Sequence, residues 1–313
     1  MLQQTQVVTV LAYFARFVTR FPDLNALAAA SLDDVLGLWS GLGYYSRARN
    51  LHQCAQRIKM DHGGRFPSTA QALELLPGIG RSTAAAIASI CFGERVAILD
   101  ANVKRVLTRV LGFDADLALD GNVRALWDAA AQLLPSDPEA AVHMPRYTQG
   151  MMDLGATVCL PKKPECPTCP VRDGCAAAHA GDPQKYPVRT RTLKRSSQSL
   201  WLLWIQSTDG HVWLDQRPAP GIWGGLHCLP LFDSEDALVQ SLPAHCRIEL
   251  RPLTVFTHVL THKDLHLHPW QLKLSNQSMQ TIVRNTGKWQ SADVWPHLGM
   301  PAPIRKLLQH GVP

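Results

Sequence analysis

LPGIGRSTAAAIASICFGERVAILDANVKRV, residues 76–106, is the stretch on which everything else in the chain hangs. Gly78 and Gly80 bracket an apolar residue between two helical patterns, a spacing that permits a tight turn with backbone N–H groups pointing outward. The helix starting at Arg81 adds the positive end of its dipole, so the turn suits a phosphate as readily as a plain helix–turn–helix corner. Ser82 in its first turn is a good helix starter. The Ala-rich helix then leads through Val96-Ala97-Ile98-Leu99 to Asp100, which precedes a further helix bearing Lys104 and Arg105. By position alone that Asp is a helix N-cap.

Outward toward the N-terminus, apolar residues Val7, Val8, Leu11, Phe14, Phe17 and Val18 recur at helical spacing, a pattern already running at Met1-Leu2. Phe21-Pro22-Asp23 breaks it, and Ser31-Leu32-Asp33-Asp34 opens the next helix with a capping-box-like start. Gly41-Leu42-Gly43-Tyr44-Tyr45 is a turn with two aromatics at its tip, followed by the basic helix opening Ser46-Arg47-Ala48-Arg49. Aromatics beside arginines suit base stacking and phosphate pairing, and equally suit core packing.

Toward the C-terminus, helical patterns cover 122–134 and 139–156 and end in Cys159-x6-Cys166-x2-Cys169-x5-Cys175, a Pro-rich loop. Residues 183–197, with Lys185, Arg189, Arg191, Lys194 and Arg195, read as a basic linker. Beyond it the pattern alternates. Residues 200–205, 212–214 and 265–274 read as strands, Ile304 to Gln309 as a last helix, and seven of the nine tryptophans gather there. The expected organisation is a helical domain over 1–182, the linker, and an α+β domain over 198–313.

With 313 residues, 46% hydrophobic content and a mean hydropathy of −0.06, the chain has the composition of a soluble two-domain protein. A net charge of +6 and a pI near 9.0 allow an anionic partner without demanding one. No apolar run approaches the ~20 residues of a membrane span, and no signal-peptide pattern opens the sequence. A cytoplasmic monomer is the expectation. Four of eight cysteines fall within residues 159–175, which argues for metal ligands in place of disulfides. Four thiolates can hold zinc, but zinc ribbons use two C-x2-C knuckles, whereas an iron–sulfur cube accepts ligands strung along one loop. Cys54, Cys91, Cys228 and Cys246 read as ordinary buried or isolated residues.

The C-x6-C-x2-C-x5-C loop after a helical domain resembles that of the helix–hairpin–helix DNA glycosylases, the endonuclease III superfamily. With LPGIG-RSTA, LDANVKRV, LWSGLGYYSRARNLH, QGMMDLGATVC and GIWGGLHCLP, the resemblance narrows to the adenine DNA glycosylases and covers nearly the whole chain. It implies a mainly α helix–hairpin–helix domain with a [4Fe–4S] cluster held by Cys159, Cys166, Cys169 and Cys175. A Nudix-like C-terminal domain that recognises 8-oxoguanine follows. The cluster's implied role is structural, and its loop could hold Lys162, Lys163 and Arg172 near a phosphate.

The activity implied is hydrolysis of the N-glycosidic bond of adenine mispaired with 8-oxoguanine or guanine in double-stranded DNA. Asp100 is then the carboxylate facing the oxocarbenium-like sugar, and Asn102 helps orient sugar and backbone. Ser82 stands where lyase relatives carry the Schiff-base lysine, so the enzyme should leave an abasic site without cutting the strand. Gly78, Gly80, Ser82 and Lys104 match DNA-contacting positions. Gln4 and Tyr44, with Thr5 and Leu42 beside them, match residues that wedge around the lesion, and Thr261-His262 occupies the place of a Phe-Ser-His loop, Leu260 replacing the aromatic. The second domain lacks the G-x5-E-x7-R-E-x2-E-E box, so neither pyrophosphatase activity nor Mg²⁺ is expected there, and His258, His262, His266 and His268 are not expected to bind metal. The family's proton-donating glutamate lies two residues before the methionine that is Met1 here. An N-terminally truncated, feebly active chain is therefore expected. The rival readings are a non-catalytic mismatch-binding protein and an endonuclease III-like pyrimidine-lesion glycosylase.

Overall fold

The computed structural model describes residues 1–3, 5, 7–136, 139–190, 194–218, 221–275, 279 and 287–311. Gln4 and Arg191, both singled out above, lie outside the described residues. Packing divides the chain into two compact units, one of residues 1–59 with 193–313 and one of residues 60–192. That division cuts across the boundary drawn from element type, because the first helices share a core with the C-terminal sheet.

In the first unit, α1 (Val7–Arg20), α2 (Leu24–Ala29), α3 (Leu32–Trp39) and α4 (Tyr45–Asp61, whose last two residues fall beyond the unit) follow one another through short turns. The helix expected to run from Met1 begins at Val7; before it, the Thr5 N–H closes a turn on the Leu2 carbonyl at 3.2 Å. Asp23 caps α2 through Ala26 N–H at 2.8 Å and Ser31 caps α3 through Asp34 N–H at 3.1 Å, so the polar residues after Pro22 set these starts.

The sheet of the same unit contains β1 (Ser196–Ser207), β2 (Val212–Gln216), β3 (His227–Cys228), β4 (Leu231–Phe232), β5 (Arg251–Pro252), β6 (Phe256–Val259), β7 (Lys263–Leu274) and β8 (Gly287–Gln290). Its main path runs β3-β2-β1-β7-β5, with β4 on β1, β6 on β7 and β8 on β2. β1 and β7 pair in parallel along their full length, Ser196 opposite Lys263 through Ser207 opposite Leu274. A parallel pair needs a crossover, and α11 (Glu235–Gln240) and α12 (Ala244–Arg247) lie within it. Alternation along β1 sends Leu200, Leu202 and Trp204 into a core shared with Val35, Leu36 and Trp39 of α3 and with Ile304 and Leu307 of α13 (Ala302–His310). Leu203 and Ile205 enter a second core with Trp213, Leu238 and Leu272 on the other face. Both faces are covered, which is why residues 200–205 read as an unbroken apolar run. β1 starts inside the stretch expected as linker.

The second unit holds α5 (Ala70–Glu74), α6 (Arg81–Phe92), α7 (Ala101–Leu111), α8 (Asp120–Gln132), α9 (Ala140–Asp153) and α10 (Ala176–His179). The alanines of α6 explain its neighbours: Ala84, Ala85 and Ala88 are buried, and Ser89 reaches Met144 O at 3.2 Å and Thr148 Oγ1 at 2.6 Å on α9. Side chains this small let two helices approach closely. Ala97, Ile98 and Leu99 pack with Val103, Leu107, Leu126 and Met144 into the unit's core, fixing the approach to Asp100. Residues 186–190 are tied down: Leu117 N–H donates to Val188 O at 3.1 Å and Thr190 N–H to Asp116 Oδ1 at 3.2 Å. They do not run as a free solvated linker.

Candidate active site

In the second unit, the turn between α5 and α6 is closed by Ile79 N–H on Leu76 O at 3.2 Å, with Gly78 at φ +75°. A side chain at that φ would be strained, which is why glycine stands there. Gly80 occupies the N-cap of α6 with no capping side chain, and a Cβ placed on it would meet nothing within 4 Å. The start of α6 is thus open on the Gly80 side, where the positive end of the helix suits an incoming phosphate oxygen.

Ser82 does more than start that helix. Its Oγ accepts the Leu99 N–H at 3.0 Å, lashing the hairpin to the segment that delivers Asp100. Nothing in the sequence pattern pointed to this bond, because its partners are 17 residues apart and belong to different elements.

Asp100 caps α7: its Oδ1 accepts the N–H groups of Asn102 and Val103, each at 2.8 Å. The half-buried carboxylate therefore sits at the positive end of a helix whose start is rigid. Lys104, one turn on, is half-buried. Burial above all, then Arg189, pushes its ammonium below the ordinary lysine range, while Asp100 pulls the other way. Asn102 Oδ1 accepts from Arg105 Nη2 at 2.9 Å, and a Cβ on Gly155 would stand 2.7 Å from Asn102 Cβ. Asn102 is thereby wedged between α7 and the turn beyond α9.

Two buried arginines of α7 hold the cysteine loop. Arg105 Nε donates to Cys159 O at 2.7 Å and its Nη2 to Gly155 O at 2.6 Å. Arg109, 2% exposed, donates from Nη1 to Leu160 O at 2.7 Å and to Cys159 Sγ at 3.3 Å, and from Nη2 to Pro161 O at 3.1 Å. Cys159 follows a π-helical turn, Leu154–Val158, that ends α9. Short 3-10 turns at Cys166–Thr168 and Arg172–Gly174 bring the other three cysteines round. The four cysteines line a small apolar cavity walled by Val106, Val110 and Leu154. Burial first, then the neighbouring Cys175, Cys159 and Cys169, raises the Cys166 thiol.

Among the described residues no group of three or more His, Cys, Asp or Glu is gathered tightly enough to hold a single metal ion. Four cysteines of one loop lining an apolar cavity fit the ligand set of an iron–sulfur cube, in which each sulfur binds a different iron. Lys162, Lys163 and Arg172 are exposed at the edge of this loop.

In the first unit, three of the residues expected at the lesion come together. Tyr44, 43% exposed and at φ +48°, places its hydroxyl 2.9 Å from Thr261 Oγ1. Thr5 Oγ1 accepts from Arg47 Nη2 at 2.9 Å, and the Arg47 guanidinium lies 5.1 Å from the Tyr44 ring centroid. Thr261 is held in turn by Arg195, which donates to its carbonyl at 3.3 Å and to Leu260 O at 3.1 Å. Arg195 and Arg47 therefore brace this cluster from two sides. Leu42 is only 6% exposed and belongs to the core, so its side chain shapes the turn without being offered outward. His262 is exposed beside Thr261.

His266 Nδ1 lies 3.2 Å from Thr257 Oγ1, and His268 stacks on Trp201 with centroids 4.5 Å apart. Cys54, Cys228 and Cys246 are buried, the Cys228 thiol being pushed up to about 12 by burial, and Cys91 is exposed.

Residues 1–128 match the family of HhH-GPD superfamily base excision DNA repair proteins, and residues 201–310 match the NUDIX domain family. The chain is 35% identical over 312 residues to the adenine DNA glycosylase of Buchnera aphidicola subsp. Acyrthosiphon pisum, covering 99% of this chain and 87% of that one. It is 47% identical over 366 residues to the human adenine DNA glycosylase, covering 99% of this chain and 66% of that one. A hairpin open at the start of α6, an Asp capping the helix beyond it, a Nudix-like sheet and identity along the whole sequence lead to one assignment: the chain belongs to the adenine DNA glycosylase family of DNA N-glycosylases.

Proposed function

We propose that the chain removes adenine mispaired with 8-oxoguanine or guanine in duplex DNA, hydrolysing the N-glycosidic bond and leaving an abasic site. The observation that carries this reading is the Asp100 carboxylate, fixed as the cap of α7 on a segment lashed to the hairpin by Ser82. The adenine must leave the stack to be reached. As the bond to it breaks, positive charge develops on the sugar, and a preorganised carboxylate stabilises that charge without having to reorganise. Gly78, Gly80, Ser82 and Lys104 would grip the DNA backbone, and Thr5, Tyr44, Thr261 and His262 would flank the lesion.

Cys159, Cys166, Cys169 and Cys175 would hold a [4Fe–4S] cluster that cross-links their loop, with Arg105 and Arg109 securing it from α7. Protein prepared without oxygen should be brown, with about four irons per chain; colourless, iron-free protein that retains its fold would overturn this part.

Ser82 offers no amine, and its Oγ is engaged with Leu99 N–H, so strand scission should not accompany base release. The test is a duplex with a single A opposite 8-oxoguanine. Free adenine and an intact strand that breaks only on alkali treatment are expected; scission without alkali would favour the lyase alternative. Binding of the mispair without any base release would favour the non-catalytic reading.

A further inference from the structure

The guanidinium of Arg47 gathers more of its surroundings than any other side chain near the lesion-reading cluster. From the first turn of α4 it donates through Nη1 to Met1 O at 2.8 Å and to Gln3 O, and through Nη2 to Thr5 Oγ1 at 2.9 Å. Its Cζ lies 5.1 Å from the Tyr44 ring centroid and 5.6 Å from that of Trp39, which is 1% exposed and anchors the arrangement in the core. Both terminal nitrogens of this side chain are thus engaged by backbone carbonyls and a hydroxyl, its Nε is buried, and its flat face lies against two rings.

Tyr44 needs such support. It is not glycine, yet its φ is +48°, a left-handed conformation that an L-residue with a Cβ adopts only under strain. The turn is held by Trp39 Nε1 on Gly43 O at 3.0 Å and Arg47 N–H on Tyr44 O at 2.9 Å. The ring itself is fixed at one end by Thr261 and over its face by Arg47. Met1, Gln3 and Thr5, the Gly41–Tyr44 turn and the loop between β6 and β7 therefore meet through one cation and the tyrosine it covers.

We propose that Arg47 is a positioning residue for lesion recognition, setting Tyr44 and the segment bearing Thr5 in their reading arrangement before DNA arrives, and not a phosphate ligand. This rests on the reading that Tyr44 and Thr5 flank 8-oxoguanine. A lysine cannot replace it, because an ammonium has neither the fork that spans two acceptors nor the plane that stacks on a ring. The gain is one of preorganisation: the ordering is done before binding and does not subtract from affinity.

The test measures affinity for two duplexes, one undamaged and one carrying 8-oxoguanine opposite 2′-fluoro-2′-deoxyadenosine, whose electron-withdrawing fluorine slows glycosidic cleavage. For Arg47→Lys the ratio of the two affinities should fall about tenfold, with undamaged-duplex affinity, its salt dependence and the melting temperature held. Uniform weakening on both duplexes, with a salt slope reduced by about one, would identify a phosphate contact and overturn the proposal. An unchanged ratio would overturn it as well. Should the lysine variant fail to fold, Arg47→Gln, which keeps a planar donor, is read by the same criteria. Tyr44→Ala separates this inference from the reading beneath it. If that variant leaves the ratio unchanged, the lesion assignment fails; if it lowers the ratio while the Arg47 variants do not, only the role of Arg47 fails.

Discussion

Oδ1 of Asp100 is committed to the first N–H groups of α7, so the side chain that would face the reacting sugar is also a structural cap. Ser82 is tied to the same start from the other side. Ser82→Ala should cost about 1–2 kcal/mol in chemical denaturation, the price of a half-buried Leu99 N–H left without a partner. Lys104 pulls stability and function apart. Its folded-state pKa lies below the unfolded value, so at pH 7 the charged amine opposes folding, and that penalty fades as pH rises through the lowered pKa toward the ordinary one. Lys104→Gln should therefore raise the melting temperature at neutral pH, by an amount that shrinks in alkali, while weakening DNA binding. Equal melting temperatures across that range would show that its surroundings impose no penalty. Asp100 was legible as a helix cap from its place before α7, and the four cysteines stood out as candidate ligands by their spacing. The bond of Ser82 and the braces made by Arg47 and Arg195 were not legible, since each joins segments that no local pattern relates.

α7 links the candidate carboxylate to the cysteine loop along a single rigid element. Asp100 stands at its start, Arg105 and Arg109 follow one and two turns later on the face toward Cys159, and Asn102 is trapped between helix and loop. Arg109→Met keeps the bulk of the side chain but strands the carbonyls of Leu160 and Pro161. Loss of iron and a fall of about 3 kcal/mol in unfolding free energy are expected, read by iron analysis and denaturation on the same sample. Gly155→Ala would force a methyl group to within 2.7 Å of Asn102 Cβ and should destabilise by about 1–3 kcal/mol. Helical periodicity revealed α8, α9 and α13 to within a few residues. It placed the first helix too early: apolar spacing is already running at Met1-Leu2, but the helix starts at Val7. The π-helical turn before Cys159 has no signature in periodicity at all.

Across the whole molecule, composition located the change from helical to alternating pattern near residue 198, and β1 does start at Ser196. What it missed is that the first helices share the core of the C-terminal sheet, a partnership between segments more than 150 residues apart that no window of sequence encodes. Enzymatic activity in this account comes down to one negative charge fixed at a helix start. The most direct test is adenine release under single-turnover conditions from a duplex with A opposite 8-oxoguanine, comparing the natural chain with Asp100→Asn. Asparagine caps a helix as well as aspartate does, so fold and melting temperature should hold while the charge disappears. The account predicts a loss of about a hundredfold or more in rate with duplex binding retained. An Asp100→Asn chain that released adenine at the natural rate would contradict it.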